Sequence, residues 1–215
     1  MRLRLSLIVL LIGFGLQAQE KNSFDQEVKA IVKRNDSLWN SSQETVVFAG
    51  SSSIRFWKDL QERFPDTQVL NSGFGGSQAS DLLVHLDDLV LRYKPKQVFI
   101  YEGDNDINAK KRPKKILETT AQIVANLRQR LPDVAVVLIS AKPSLSRWKL
   151  RGKYRRLNKR FAKYAQMEDK VAFVDVWHPM LNGRKVRKDL FVSDGLHMNG
   201  TGYDIWYETI KTYVE

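Results

Sequence analysis

The chain has 215 residues, 43% apolar and 27% charged, a composition that suits one well-buried globular domain rather than a disordered chain. It contains no cysteine, which rules out disulfides, thiolate catalysis and cysteine-based zinc or iron–sulfur centres. Its formal charge of +11 favours anionic surroundings such as acidic glycans or envelope polymers.

The first residues read as an export leader. Arg2 and Arg4 form a basic start, an apolar run follows from Leu5 to Leu16, and Ala18 offers a small residue for cleavage. The run is too short to cross a bilayer comfortably, and no later segment is apolar enough. The expected division is a leader over 1–18, a helical lead-in over 19–44 and a main domain over 45–215. Losing the two charges of Arg2 and Arg4 leaves +9 on an exported chain, periplasmic or secreted.

Phe24 to Trp39 carries Phe24, Val28, Ile31, Val32 and Leu38 at helical spacing. Strand-like runs follow at Thr45–Ala49, Gln68–Leu70, Gln97–Tyr101, Val134–Ile139 and Val171–Val176. Most are continuous and rich in Val and Ile, as strands buried on both faces should be. Helical patterns lie between them over Ile54–Arg63, Ser77–Tyr93, Pro113–Arg130 and Arg147–Gln166, with a last helix over Tyr203–Tyr213. Alternating strands and helices predict βαβ units and a parallel sheet covered on both sides. Ligands of such sheets bind beyond the carboxyl ends of the strands. Gly50, Gly76 and Asn105 each fall just beyond one.

Gly50-Ser51-Ser52-Ser53 leaves the first strand. A serine at such a turn faces the positive end of the following helix, which favours a developing negative charge. The same serines would also serve as ordinary helix caps. Asp194 and His197 are three apart, so in a turn their side chains are neighbours. The acid can hold one ring nitrogen while the other faces a serine, the arrangement of a nucleophilic triad. Gly73, Gly75 and Gly76 let backbone approach a ligand closely, and Asn105 offers a side-chain amide donor. No Lys-Ser or Lys-Thr follows these glycines, so a P-loop is excluded. Asp104, Asp106 and Asp194 match no metal-binding pattern, and Asp106 reads as a cap. His85 and His178 read as structural. The densest basic stretch runs from Arg147 to Arg160, and through and just past it Leu150, Tyr154, Leu157, Phe161 and Tyr164 recur at helical spacing. They form a core stripe, the intervening cations a solvated face, and nucleic acid is not an expected partner.

Together these segments resemble the SGNH hydrolases, or GDSL-type esterases and lipases, from about Val46 to His197. The resemblance implies a catalytic Ser52, Asp194 and His197, an oxyanion hole formed by Ser52, Gly76 and Asn105, and no cofactor or metal. It also implies a flavodoxin-like three-layer α/β/α sandwich with a five-stranded parallel sheet. The reaction it implies is hydrolysis of a small-molecule or glycan ester through an acyl-enzyme, with a short acyl group, acetyl included. One position departs from the pattern: the usual Gly-Asp-Ser is Gly50-Ser51-Ser52 here. That change raises the alternative of a catalytically silent carbohydrate- or anion-binding domain of the same fold.

Overall fold

Five runs dominated by Val, Ile, Leu and Phe become parallel strands in the computed structural model, which describes residues 24–214. They are β1 (Thr45–Gly50), β2 (Gln68–Gly73), β3 (Gln97–Tyr101), β4 (Ala135–Ile139) and β5 (Val171–Val174), in the order β2-β1-β3-β4-β5. The register sets Gly50 opposite both Gly73 and Tyr101. Successive side chains of a strand point to opposite faces. Val47, Val98 and Val136 thus enter one apolar core, while Phe48, Phe99 and Val137 enter the other.

Helices cover both faces. A helix α1 over 24–38, α3 (Ala79–Val84), α6 (Pro113–Arg130) and α7 (Arg151–Met167) bury Val28, Leu82, Ile123 and Phe161 against the first core. The short α2 (Ser52–Arg55) and the last helix, α8 (Gly200–Ile210), bury Ile54, Trp206 and Ile210 against the second. Phe48 and Phe99, paired across β1 and β3, stack at 4.3 Å with an interplanar angle of 4°. Full burial of such a side chain stabilises the fold by about 1.5–3 kcal/mol. The result is the expected three-layer α/β/α sandwich. α4 (Leu86–Leu89), α5 (Asp104–Asn108) and a small antiparallel hairpin of β6 (Leu181–Asn182) and β7 (Lys185–Val186) complete it.

Three helical expectations are corrected. The pattern over Ile54–Arg63 yields helix only to Arg55. The side-chain amide of Asn71 bonds the carbonyls of Ile54 at 2.7 Å and Trp57 at 3.2 Å, acceptors that a continuing helix would share with its own backbone. Trp57, Leu60 and Phe64 stay buried all the same, so the periodicity marks a buried face rather than a hydrogen-bond ladder. The stretch Ser77–Tyr93 breaks at His85 and Val90 into α3, α4 and a 3-10 turn. Its apolar residues Leu82, Leu86, Leu89, Val90 and Leu91 are too many for one stripe, and the breaks let all of them reach the core. The last helix starts at Gly200 rather than Tyr203, because Asn199 caps it by accepting from the Gly202 N–H at 3.1 Å.

The leader expected over 1–18 lies outside the described residues. Among the described residues no helix is long and apolar enough to cross a membrane.

Candidate active site

The carboxyl ends of β1, β2 and β3 lie side by side, and each feeds a turn into the same region. Gly50 leaves β1 with φ of 142°, a conformation that favours glycine. Ser51 follows, donating its N–H to the Tyr101 carbonyl at 3.1 Å, and Ser52 opens α2. The capping role open to these serines is not taken by Ser51, whose side chain makes no cap bond. Ser51 and Ser53 are buried, whereas Ser52 is half-exposed.

Ser52 Oγ lies 3.1 Å from Nε2 of His197. The other ring nitrogen, Nδ1, lies 2.6 Å from Oδ2 of Asp194. The second oxygen of that carboxylate accepts the backbone N–H groups of Leu196 at 2.8 Å and His197 at 2.9 Å. Partial burial pushes the Asp194 carboxyl up, but these bonds and the imidazole outweigh it and pull it down to about 2. Asp194 is therefore ionised at neutral pH, and the ring nitrogen facing it carries the hydrogen. Phe56 stands edge-on to the ring of His197 at 5.0 Å and limits its rotation.

The turn bearing Asp194 and His197 is fastened at several points. Gly195 adopts φ of 63°, and its carbonyl accepts the N–H groups of Leu145 at 2.9 Å and Ser146 at 3.1 Å. The buried ammonium of Lys142 donates to the Leu196 carbonyl at 2.6 Å. Val192 bonds the His197 carbonyl at 2.9 Å, and Phe191 and Met198 form an isolated bridge.

Opposite stand candidate donors. Gly76 is exposed with φ of 79°, and neither its N–H nor that of Ser52 is bonded among the described residues. The amide of Asn105, in the first turn of α5, donates to the Ser77 carbonyl at 2.9 Å, which draws it to the Gly76–Ser77 turn. Its second amide hydrogen remains free to meet a ligand. Behind this turn Glu102 is wholly buried, with the Ser77 hydroxyl 2.7 Å away. Burial pushes its carboxyl well above the usual range; the Ser77 bond opposes this, and Asp106, Asp81 and Asp104 add to it. The Ser77 hydroxyl donates to Glu102 Oε1, with the Phe74 carbonyl as its other acceptor at 3.2 Å.

The other acidic and imidazole groups have separate roles. Asp106 accepts the N–H of Ala79 at 3.1 Å, so it caps α3 rather than its own turn. His178 pairs with Asp175 beyond β5, and His85 contacts Phe74 at the break between α3 and α4. Among the described residues no group of acids and histidines is arranged to hold a metal ion.

Arg147 was legible only as one cation of a solvated face, and that reading is corrected. Its side chain is largely buried and bonds Asp104 at 2.7 Å and Asn105 Oδ1 at 3.0 Å. Asp104 also accepts from the Tyr154 hydroxyl at 2.5 Å and sits 4.0 Å from Lys142. Burial pushes the Asp104 carboxyl up, but Lys142 and Arg147 outweigh it and hold it below the ordinary range. A basic helix start offered no sequence signal for these contacts. The clue lay in Asp104, an acid directly before the Asn105 whose amide was expected to act as a donor.

The GDSL-like lipase/acylhydrolase family model matches residues 36–205. Among solved structures, a GDSL-like lipase from Bacteroides thetaiotaomicron superposes with a TM-score of 0.75 at 24% identity, over 86% of this chain and 96% of that one. A Streptococcus pneumonia protein provisionally described as a platelet activating factor gives 0.77 at 23% identity, over 94% and 98%. A carbohydrate esterase family 3 protein from Talaromyces cellulolyticus gives 0.66 at 19%, over 79% and 95%. At these identities the superpositions establish the shared fold. No curated protein sequence matches the chain.

Proposed function

The chain belongs to the GDSL-like lipase/acylhydrolase family, a family of ester hydrolases, and on that premise we propose that it is a serine esterase with Ser52 as nucleophile, His197 as base and Asp194 as orienting acid. The observation that carries this reading is the line of contacts Asp194 Oδ2–Nδ1 His197 Nε2–Oγ Ser52, at 2.6 and 3.1 Å. Asp194 keeps the hydrogen on Nδ1, so Nε2 presents a lone pair to the serine hydroxyl. Ser52 Oγ attacks the acyl carbon as its proton passes to Nε2. The carbonyl oxygen becomes an oxyanion, held by the N–H groups of Ser52 and Gly76 and the amide of Asn105. His197 returns the proton to the leaving alcohol, then deprotonates the water that cleaves the acyl-enzyme. No step requires a cofactor.

The substrate we propose is a short acyl ester, acetyl included, on an anionic glycan. Helix α7 carries seven Lys and Arg residues and no acid. A groove of about 520 Å³ runs beside it, lined by Arg155, Arg156, Lys159 and Trp177 together with one acid, Asp175. A carbohydrate esterase among the structural neighbours supports the same class. The leader over 1–18 supports export, which would place the enzyme among such polymers.

A pre-steady-state assay on p-nitrophenyl acetate tests the reading. The expected result is a burst of p-nitrophenol equal to the enzyme present, then slower turnover. Absence of both release and fluorophosphonate labelling would instead favour the silent binding domain.

A further inference from the structure

An asparagine amide can sit in two orientations that differ by a half-turn and exchange a donor for an acceptor. For Asn105 to hold an oxyanion it must present N–H. In the flipped orientation it would present its oxygen, and repel the charge it is meant to stabilise. Two contacts exclude the flip. The Ser77 carbonyl can only accept, and it takes one Nδ2 hydrogen at 2.9 Å. The Arg147 guanidinium can only donate, and it meets Oδ1 at 3.0 Å. The second Nδ2 hydrogen is left for a ligand.

Arg147 is itself fixed. Its Nη1 carries two hydrogens, one for Asn105 and one for Asp104 Oδ1 at 2.7 Å. The Asp104 side chain is only 7% exposed and is also gripped by Tyr154 at 2.5 Å. On its other side lies Lys142, whose side chain is wholly buried and whose ammonium bonds the carbonyl of Leu196, between Asp194 and His197. Buried ion networks are costly, and apolar residues of similar size often replace them without loss of stability. Their retention at this point calls for a role that packing alone would not require.

We propose that Arg147 is a positioning residue for the oxyanion hole. Anchored on Asp104, it locks the Asn105 amide with its N–H towards the reacting carbonyl. The same carboxylate lies beside the lysine that fastens the Asp194–His197 turn, so one buried anion references both halves of the machinery. The proposal rests on the assignment of Asn105 as an oxyanion donor.

A double-mutant cycle on p-nitrophenyl acetate tests it, using Arg147→Met, Asn105→Ala and the pair, with thermal melts as the check on folding. The expected result is a fall in kcat of about tenfold for Arg147→Met with KM within about twofold, and a change below about twofold when Asn105 is already Ala. Equal losses in both backgrounds, or no loss in either, would overturn the positioning role while leaving the esterase assignment intact. Wild-type kcat in Asn105→Ala would remove the donor assignment and this proposal together. If Arg147→Met misfolds, Arg147→Lys takes its place, retaining the charge but not the planar fork. A smaller loss that again vanishes beside Asn105→Ala is then expected, and an undiminished one overturns the proposal.

Discussion

The carbonyl oxygen of Tyr101 lies only 2.1 Å from where a β-carbon on Gly50 would stand. This approach across β1 and β3 sets the exit of the chain towards Ser52, because the same carbonyl accepts the Ser51 N–H. Gly50→Ala must push β1 from β3 and also strain a backbone at φ of 142°. Overpacking of this kind costs about 1–3 kcal/mol, and the strained φ adds to it. Urea unfolding of the variant should show a midpoint lowered accordingly, with activity falling further than stability. A midpoint equal to wild type would refute the account of this turn.

The three serines separate cleanly by position. Ser52→Ala should abolish both turnover and fluorophosphonate labelling. Ser51→Ala should keep measurable activity, since its side chain makes no cap bond, and Ser53→Ala should keep it too, losing the buried side-chain bond to Tyr101. Peptide mapping of the labelled wild-type protein checks the assignment: a label on Ser51 or Ser53 would move the nucleophile.

Asp194→Asn should retain the backbone bonds from Leu196 and His197 through its oxygen, but turn an amide N–H towards Nδ1. The imidazole then carries its hydrogen on Nε2 and cannot take the proton of Ser52. A loss in kcat of about 10⁴-fold follows, with KM little changed. The same carboxyl lies at about 2 in the fold, below its ordinary 3.8. Its ionised form therefore stabilises the protein above about pH 4, a contribution lost as pH falls towards 2. Thermal melts across that acid range should be flatter for the variant, and full kcat in Asp194→Asn would remove the acid from the triad.

Glu102 behaves in the opposite sense. Its carboxyl is raised in the fold, so the folded state holds a proton that the unfolded chain releases. Stability is complete below the ordinary carboxyl range and declines as pH rises through the raised value. Glu102→Gln mimics the protonated form. As pH rises above the ordinary carboxyl range its Tm should fall less than that of wild type. Parallel curves would show that Glu102 is not held protonated.

What could be read from the chain divides by the distance over which a residue acts. Most of the strands were legible because burial on both faces demands continuous apolar runs rich in Val and Ile, and the start of α6 was legible because Pro113 marks its first turn. The serine turn after Gly50, the glycines through Gly76, Asn105 and the Asp194–His197 pair stood out through local turns and spacing, whereas the choice of Ser52 among three adjacent serines came from the resemblance to the Gly-Asp-Ser pattern. The break after Arg55 was hidden, since its cause, Asn71, lies on another strand. Arg147 was hidden for the same reason: a cation in a basic stretch looks solvated until the fold supplies Asp104, and the isolated Lys142 carried no local signal of that partner.

The proposed nucleophile and its proposed base are 145 residues apart, and the last strand of the sheet ends at Val174, well before the turn that carries the histidine. Ribosomes deliver a chain from its N-terminus, at about 5–20 residues per second. All five strands can therefore pair while Ser52 still has no base beside it. On the proposed triad, a chain that lacks the final segment, which docks on Leu145, Ser146 and Lys142, is chemically inert towards esters however complete its sheet.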